Sequence, residues 1–237
     1  MGCAFSFDFK FRSKFQDKIQ LMSDAAKHGD MDLVKVYVYD NVKICNIGMH
    51  SAAQGGHIEI IRFFIEKGAE DWGGGLCAAA QGGHMNIIRF FIEKGTTQWD
   101  SGMYGAALGG HMNLVSFFVE KGADSWNFGM WSAAEGGHMD IVNFFIDKGA
   151  NDWNFGLAGA AIGGNMDMLS FFVGKGACDW NWGLCLSSRE GHIDIVRFLV
   201  NKGANDWDTS ISYAKARKHK KIVKFLKKMR KRELSPK

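Results

Sequence analysis

The sequence repeats itself every 27 residues, and no other property limits its fold so tightly. Trp72, Trp99, Trp126, Trp153, Trp180 and Trp207 keep that step without exception, and so do Gly68, Gly95, Gly122, Gly149, Gly176 and Gly203. A third column holds His57, His84, His111 and His138, then Asn165, then His192 and His219. Extended backward, the step puts Cys45 in the tryptophan column and Asp30 in the histidine column. A period of roughly 20–50 residues marks a stack of short units, none of which is stable without its neighbours. Eight units tile the chain as 18–44, 45–71, 72–98, 99–125, 126–152, 153–179, 180–206 and 207–233, leaving an N-terminal segment 1–17 and a tail 234–237.

The unit Trp153 to Asp179 predicts two short helices. The first is placed from about Leu157 to Ile162, with Leu157, Ala160 and Ala161 on one face. Gly163-Gly164 ends it, because glycine adopts the left-handed conformation at little cost. The second runs from about Asp167 to Lys175, with an acid in its first turn and a lysine in its last, both favourable to the helix dipole. Both are shorter than the ~12–15 residues an isolated helix needs, so each depends on packing. Recurring Ala-Ala pairs (52–53, 79–80, 106–107, 133–134, 160–161) let first helices approach closely, and Phe-Phe pairs (63–64, 90–91, 117–118, 144–145, 171–172) fill the space between layers. The alanine pair drifts to Ser187-Ser188 and then Ala214-Lys215, as a polar terminal cap would require. The chain has 30 Gly and 1 Pro, which fits one glycine-ended turn used again and again.

The stretch G-L-x-x-A-A-x-G-G-H-M-D-I-V-x-F-F-I-x-K-G-A-x-D resembles the ankyrin repeat, and the likeness covers about nine tenths of the chain. Two departures stand out. The family's Thr-Pro is absent, and the unit is six residues shorter than the usual ~33. The missing residues fall where ankyrin repeats project a β-hairpin finger, so the resemblance implies a finger cut down to a Trp-Asn-x-Gly loop. Units of this D-W-N-x-G-L kind are similar to ankyrin-like proteins of large DNA viruses of amoebae. The fold class implied is all-α, an ankyrin-like helical-repeat solenoid of about eight helix-turn-helix units with truncated hairpin loops. The function implied is a protein-interaction scaffold without chemistry of its own.

Candidate chemistry is weighed against that frame. Equivalent side chains in stacked helices lie roughly 8–10 Å apart, whereas zinc ligands lie ~2.0–2.1 Å from the metal. The histidine column is therefore read as rings hydrogen-bonded to backbone at the helix–helix turn, and no metal or other cofactor is expected. The tryptophans are read as plugs over the edge of the next layer. No G-x-x-x-x-G-K-[ST], H-E-x-x-H or G-x-S-x-G motif occurs. Gly73-Gly74-Gly75 is assigned to a repeat loop rather than a phosphate cradle. An enzyme is not expected. Five cysteines without a C-x-x-C pair, and no apolar run near 18 residues, indicate a reducing compartment and no membrane span. The expected location is the cytoplasm, of a host cell if the source is viral, with membrane association or the nucleus as alternatives.

Partner choice belongs where the repeats differ. After the Leu/Met of the first helix the units read Cys77, Tyr104, Trp131, Ala158 and Cys185. Before the glycine pair they read Gln54, Gln81, Leu108, Glu135, Ile162 and Arg189. In ankyrin proteins the concave face is built from this helix and the finger. The resemblance thus makes Gln81, Tyr104, Leu108, Trp131, Glu135, Ile162, Trp182 and Arg189 the candidates for binding an unidentified protein, by a chain expected to be a monomer.

Both ends add alternatives. Met1-Gly2-Cys3-Ala4-Phe5-Ser6 fits the myristoylation pattern, with Gly2 as acceptor and Cys3 placed for palmitoylation, which would make a membrane-tethered adaptor. Residues 209–237 carry 12 Lys/Arg and one acid, while residues 1–208 carry 17 basic and 24 acidic residues. Lys227, Lys228, Arg230, Lys231 and Arg232 form the densest patch. Its leading reading is a solvated cap, and the alternatives are nuclear import, nucleic acid or an anionic membrane. Nucleic acid is not expected as a partner.

Overall fold

The structure is a computed structural model that describes residues 3–39 and 41–234, with side chains from residue 16 onward except those of residues 40 and 234. Gly2 and the side chain of Cys3, the two lipidation candidates, lie outside the described residues. The described residues form sixteen helices and no strand, in two compact units divided after Asp124.

The N-terminal unit holds α1 (Cys3–His28), α2 (Met31–Tyr37), α3 (Val42–Gly55), α4 (Ile58–Glu66), α5 (Trp72–Gln81), α6 (Met85–Glu93), α7 (Trp99–Gly109) and α8 (Met112–Glu120). The C-terminal unit holds α9 (Trp126–Gly136), α10 (Met139–Asp147), α11 (Trp153–Gly163), α12 (Met166–Lys175), α13 (Trp180–Glu190), α14 (Ile193–Asn201), α15 (Trp207–Ala216) and α16 (Lys220–Leu234). Within each unit, odd-numbered helices stack on the odd-numbered helix of the next repeat, and each even-numbered helix folds back on the helix before it. Each unit is thus an ankyrin-like helical-repeat stack.

The first helix of each repeat begins earlier than the apolar pattern indicates. In the repeat read above, α11 starts at Trp153, not near Leu157. The Trp-Asn-x-Gly segment is therefore the first turn of a helix and not a loop. Gly73-Gly74-Gly75 is likewise helical, inside α5. Where an aspartate precedes the tryptophan it acts as an N-cap, whereas α7 and α9 start behind Gln98 and Ser125 with no side-chain cap bond. Asp71 accepts from Gly74 N at 3.0 Å, Asp152 from Asn154 N at 3.2 Å and Asp179 from Trp182 N at 3.0 Å. Such a cap satisfies one of the amides left without a helical partner, worth ~1 kcal/mol.

Polar side chains then tie successive loops together. Asn154 Oδ1 accepts from Cys178 N and Asp179 N, both at 2.9 Å. Asn46, Asn127 and Asn181 do the same for their next loops, and Asp100 accepts from Asp124 N at 3.1 Å. These asparagines link repeats rather than shaping their own turn. Gly73 has no side chain to offer, and in the loop it would serve, Gln98 N turns instead to Thr96 Oγ1 at 3.5 Å.

The core sits between the two helices of each repeat. Leu76, Met103, Met130, Leu157 and Leu184 are fully buried, as are the alanine pairs from Ala52-Ala53 to Ala160-Ala161. The second phenylalanine of each pair (Phe64, Phe91, Phe118, Phe145, Phe172) is also fully buried, each worth ~1.5–3 kcal/mol of apolar burial. Each points its ring tip at a glycine within the preceding helix. A Cβ on Gly48, Gly75, Gly102, Gly129 or Gly156 would lie 2.1–2.5 Å from that ring, far inside the ~3.5–4.0 Å of a carbon–carbon contact. This glycine column is a socket for phenylalanine inside a helix, not a helix end or a loop. In the last repeat Ser210 takes the glycine position and Leu226 the phenylalanine position, a smaller knob against a filled socket. Ser187 and Ser188 prove fully buried, so the polar cap starts one repeat later than their chemistry implies. Ser187 Oγ donates to Gly183 O at 2.8 Å, which is how a hydroxyl is accommodated in a core position.

The histidine column binds repeat to repeat. His57, His84, His111, His192 and His219 meet the carbonyls of Lys27, Gln54, Gln81, Ile162 and Arg189 at 2.8–3.1 Å. A carbonyl only accepts, so Nε2 of each imidazole carries the proton and donates. The rings cover the glycine turn of the preceding repeat. A Cβ on Gly164, at φ +75, would meet His192 Cε1 at 2.5 Å.

Candidate partner-binding face

Once the first helices are extended to their tryptophans, the third and sixth positions of a repeat fall on one helix face, one turn apart. In the C-terminal unit they are occupied by Phe128 and Trp131 on α9, Phe155 and Ala158 on α11, and Trp182 and Cys185 on α13. The four aromatic rings meet. Phe128 and Phe155 lie 4.9 Å apart at 90°, Trp131 and Phe155 5.5 Å at 74°, Trp131 and Trp182 5.2 Å at 79°, and Phe155 and Trp182 5.6 Å at 80°. These are edge-to-face contacts, the arrangement that ring quadrupoles favour. Phe128 remains 49% exposed, and Trp131, Phe155 and Trp182 are half-buried. The result is a rigid aromatic ridge across three repeats, not a hollow cage, because rings this close leave no space between them.

Charged groups edge the ridge. Trp131 Nε1 donates to Glu135 Oε2 at 3.3 Å. Partial burial pushes the Glu135 carboxyl up from the ordinary range, opposed by that hydrogen bond and by the Arg189 charge. Arg189 Nε is paired with Glu190 at 2.5 Å. Beside Trp182 an open depression of about 400 Å³ is lined by Asn181, Cys185, Leu186, Arg189 and Tyr213, among others.

The sequence-derived candidates divide between the units. Trp131, Glu135, Ile162, Trp182 and Arg189 all belong to the C-terminal unit, where Trp131, Trp182 and Glu135 join one cluster. Ile162 and Arg189 also lend their backbone carbonyls to His192 and His219. That bond uses the main chain only, which explains why the side chain at this position is free to vary. Gln81, Tyr104 and Leu108 are half-buried members of the N-terminal unit, and Gln81 lends its carbonyl to His111. Sequence reading singles out Trp182 in this column but not Phe128 and Phe155. The sign available was that their column varies as strongly as the sixth, through Ile47, Gly74, Ser101, Phe128, Phe155, Trp182 and Thr209.

Burial pushes the Cys77 and Cys185 thiols up, away from the thiolate that a nucleophile or a metal ligand must be. Among the described residues no three His, Cys, Asp or Glu side chains gather where an ion would be held. Nor is any described helix long and apolar enough to cross a membrane.

Comparison with known proteins agrees with this architecture. A family model for ankyrin repeats in three copies matches residues 22–101, about a third of the chain and all within the N-terminal unit. No curated protein matches the chain.

Proposed function

We infer that the chain is a non-enzymatic interaction module, and that it captures a protein through the aromatic ridge Phe128, Trp131, Phe155 and Trp182 of its C-terminal unit. Ankyrin repeats are in general protein-interaction modules. The observation behind the choice of surface is the ridge itself. Aromatic side chains held rigid by mutual contact are the commonest anchors of interfaces, since they bury large area at small entropic cost. Glu135, Arg189 and Glu190 supply the polar edge that orients such an anchor. The likeness of the shortened repeat to those of amoebal large DNA viruses makes a host-cell protein the class of partner sought.

The test is crosslinking from the face. A photo-crosslinking amino acid at Phe128 should join the chain to one protein in the native host cell, and the same group at Ile47, which is 41% exposed on the N-terminal unit, should not. Trp131→Ala with Trp182→Ala should remove the crosslink while the helical circular dichroism signal is kept. Equal crosslinking from both positions, or a crosslink that survives the double substitution, would reject the ridge.

A further inference from the structure

The last repeat ends in a surface that the interaction reading does not use. On α16 the residues Lys220, Lys221, Lys224, Lys227, Lys228, Lys231 and Arg232 are all exposed. At 100° per residue these seven fall within an arc of roughly 140° of the helix circumference, and no residue of another kind falls inside it. The apolar side of the same helix is spent inward, with Ile222 and Leu226 buried. Arg230 lies outside the arc and is paired with Asp208. The acids of this repeat are also engaged. Asp206 caps α15 through Thr209 N, and Glu233 accepts from Trp207 Nε1. An open groove of about 440 Å³ is lined by Lys224, Lys227, Lys228, Lys231 and Arg232 alone. A second groove, of about 470 Å³, runs along the other flank between α15 and α16, and Lys215, Lys218, Lys220, Lys224 and Lys227 line it with Val223.

A solvated cap accounts for polarity but not for this pattern. Interspersed acids would cap the stack equally well without mutual repulsion. The turn between α15 and α16 adds a second, independent observation. Where earlier repeats place glycine at positive φ, this one places Lys218 at φ 63, the single non-glycine residue in that region among those described. A left-handed lysine carries backbone strain that a glycine would not. The chain thus accepts a strained backbone to set one more cation on the rim of the second groove.

We propose that this cationic ridge binds double-stranded nucleic acid through its phosphate backbone, without reading sequence. A helix carrying lysines on both flanks matches a duplex major groove ~12 Å wide, whose walls are two phosphate strands. Lysine, a compact and mobile point charge, suits phosphate contact rather than base recognition. No large apolar side chain lies in the arc to insert into lipid, and no aromatic ring lies there to stack on the bases of a single strand.

The experiment uses the full chain and a 20-base-pair DNA duplex of arbitrary sequence, with binding followed by fluorescence anisotropy. Neutralising about five phosphates gives a log–log salt slope of about −4.5, so affinity should fall roughly 500-fold between 50 and 200 mM salt. Joint replacement of Lys220, Lys224, Lys227 and Lys231 by Gln should flatten the slope by roughly three to four with an unchanged thermal melt. Lys218→Gly should flatten it by about one while raising the melting temperature. Trp131→Ala should leave duplex binding as it was, which separates this surface from the aromatic ridge. No binding at 50 mM salt, a slope that survives the fourfold replacement, or binding to phosphatidylserine vesicles in place of duplex would each overturn the proposal.

Discussion

At the third and sixth positions of the repeat, the N-terminal unit carries Ile47, His50, Gly74, Cys77, Ser101 and Tyr104. The C-terminal unit carries Phe128, Trp131, Phe155, Ala158, Trp182 and Cys185 at the same places. In the first set, His50 Nε2 lies 3.1 Å from Asp71 Oδ2 but outside hydrogen-bonding geometry, so the contact is one of proximity only. In the second, four rings lock together. Beneath these faces each unit repeats the same interior plan, built from the phenylalanine in its glycine socket, the histidine on the preceding carbonyl and the polar side chain on the next loop. A repeat separates its tasks by position. Columns packed inside the stack are constrained by steric fit, and columns on its partly exposed face are left to choose a partner.

The sharpest way to break the claim of a common interior plan is to hollow the interior of both units. Phe118→Ala and Phe145→Ala should each lose about 3–5 kcal/mol of stability, measured by urea denaturation, because both rings are fully buried on a glycine that cannot fill the void. A difference between them larger than the effect itself would show that the two interiors are not equivalent.

A medium effect is expected from the inter-repeat bonds. His84→Ala and His192→Ala remove donors to Gln54 O and Ile162 O, and each should lower stability by about 1–3 kcal/mol, since a half-buried carbonyl is left without its partner. Asn165 shows how the position tolerates change. It occupies the histidine column but accepts from Met168 N at 2.9 Å, capping its own helix instead. Replacement of His192 by Asn should therefore recover part of the loss through a cap, and the lack of any recovery would mean that packing over Gly164 is the dominant contribution.

The smallest effect sharpens the contrast between faces. Glu135 stands where the N-terminal unit has Gln54 and Gln81. Burial raises its pKa, so the ionised form is penalised in the fold. The penalty is fully present above the raised value and absent below the ordinary ~4.3. Glu135→Gln should thus stabilise the protein at neutral pH, and the gain should vanish as pH is lowered through that window. Thermal melts of both proteins across pH 4–7 measure it, and a pH-independent gain would assign it to some cause other than ionisation.

Much of this was legible in the sequence because a repeat displays the same constraint many times over. The 27-residue columns of Trp, His and Gly placed the units, the second helices and the glycine-ended turns, and composition placed the basic end. The start of the first helices was not legible. Trp-Asn-x-Gly reads as a loop by residue type, but in the fold it is the first turn of the helix, capped by aspartate at Asp152 and Asp179 and formed without a side-chain cap bond behind Ser125. That shift of four residues hid half of the aromatic ridge, since Phe128 and Phe155 join the face only when their turn is helical. Burial of Ser187 was hidden for a related reason, because a hydroxyl that bonds its own helix passes as apolar.

By itself, the sequence determined the architecture. No unit of 27 residues buries enough surface to stand alone, so a periodic chain of this kind must stack. It also determined where charge accumulates, since composition is a property of the chain and not of the fold. Only the tertiary structure decided which glycines are turns and which are sockets. A socket is defined by the phenylalanine that arrives from the following helix, and no local pattern records that distance. It likewise decided which variable positions act together, because three repeats must be stacked before Phe128, Trp131, Phe155 and Trp182 come within ring contact.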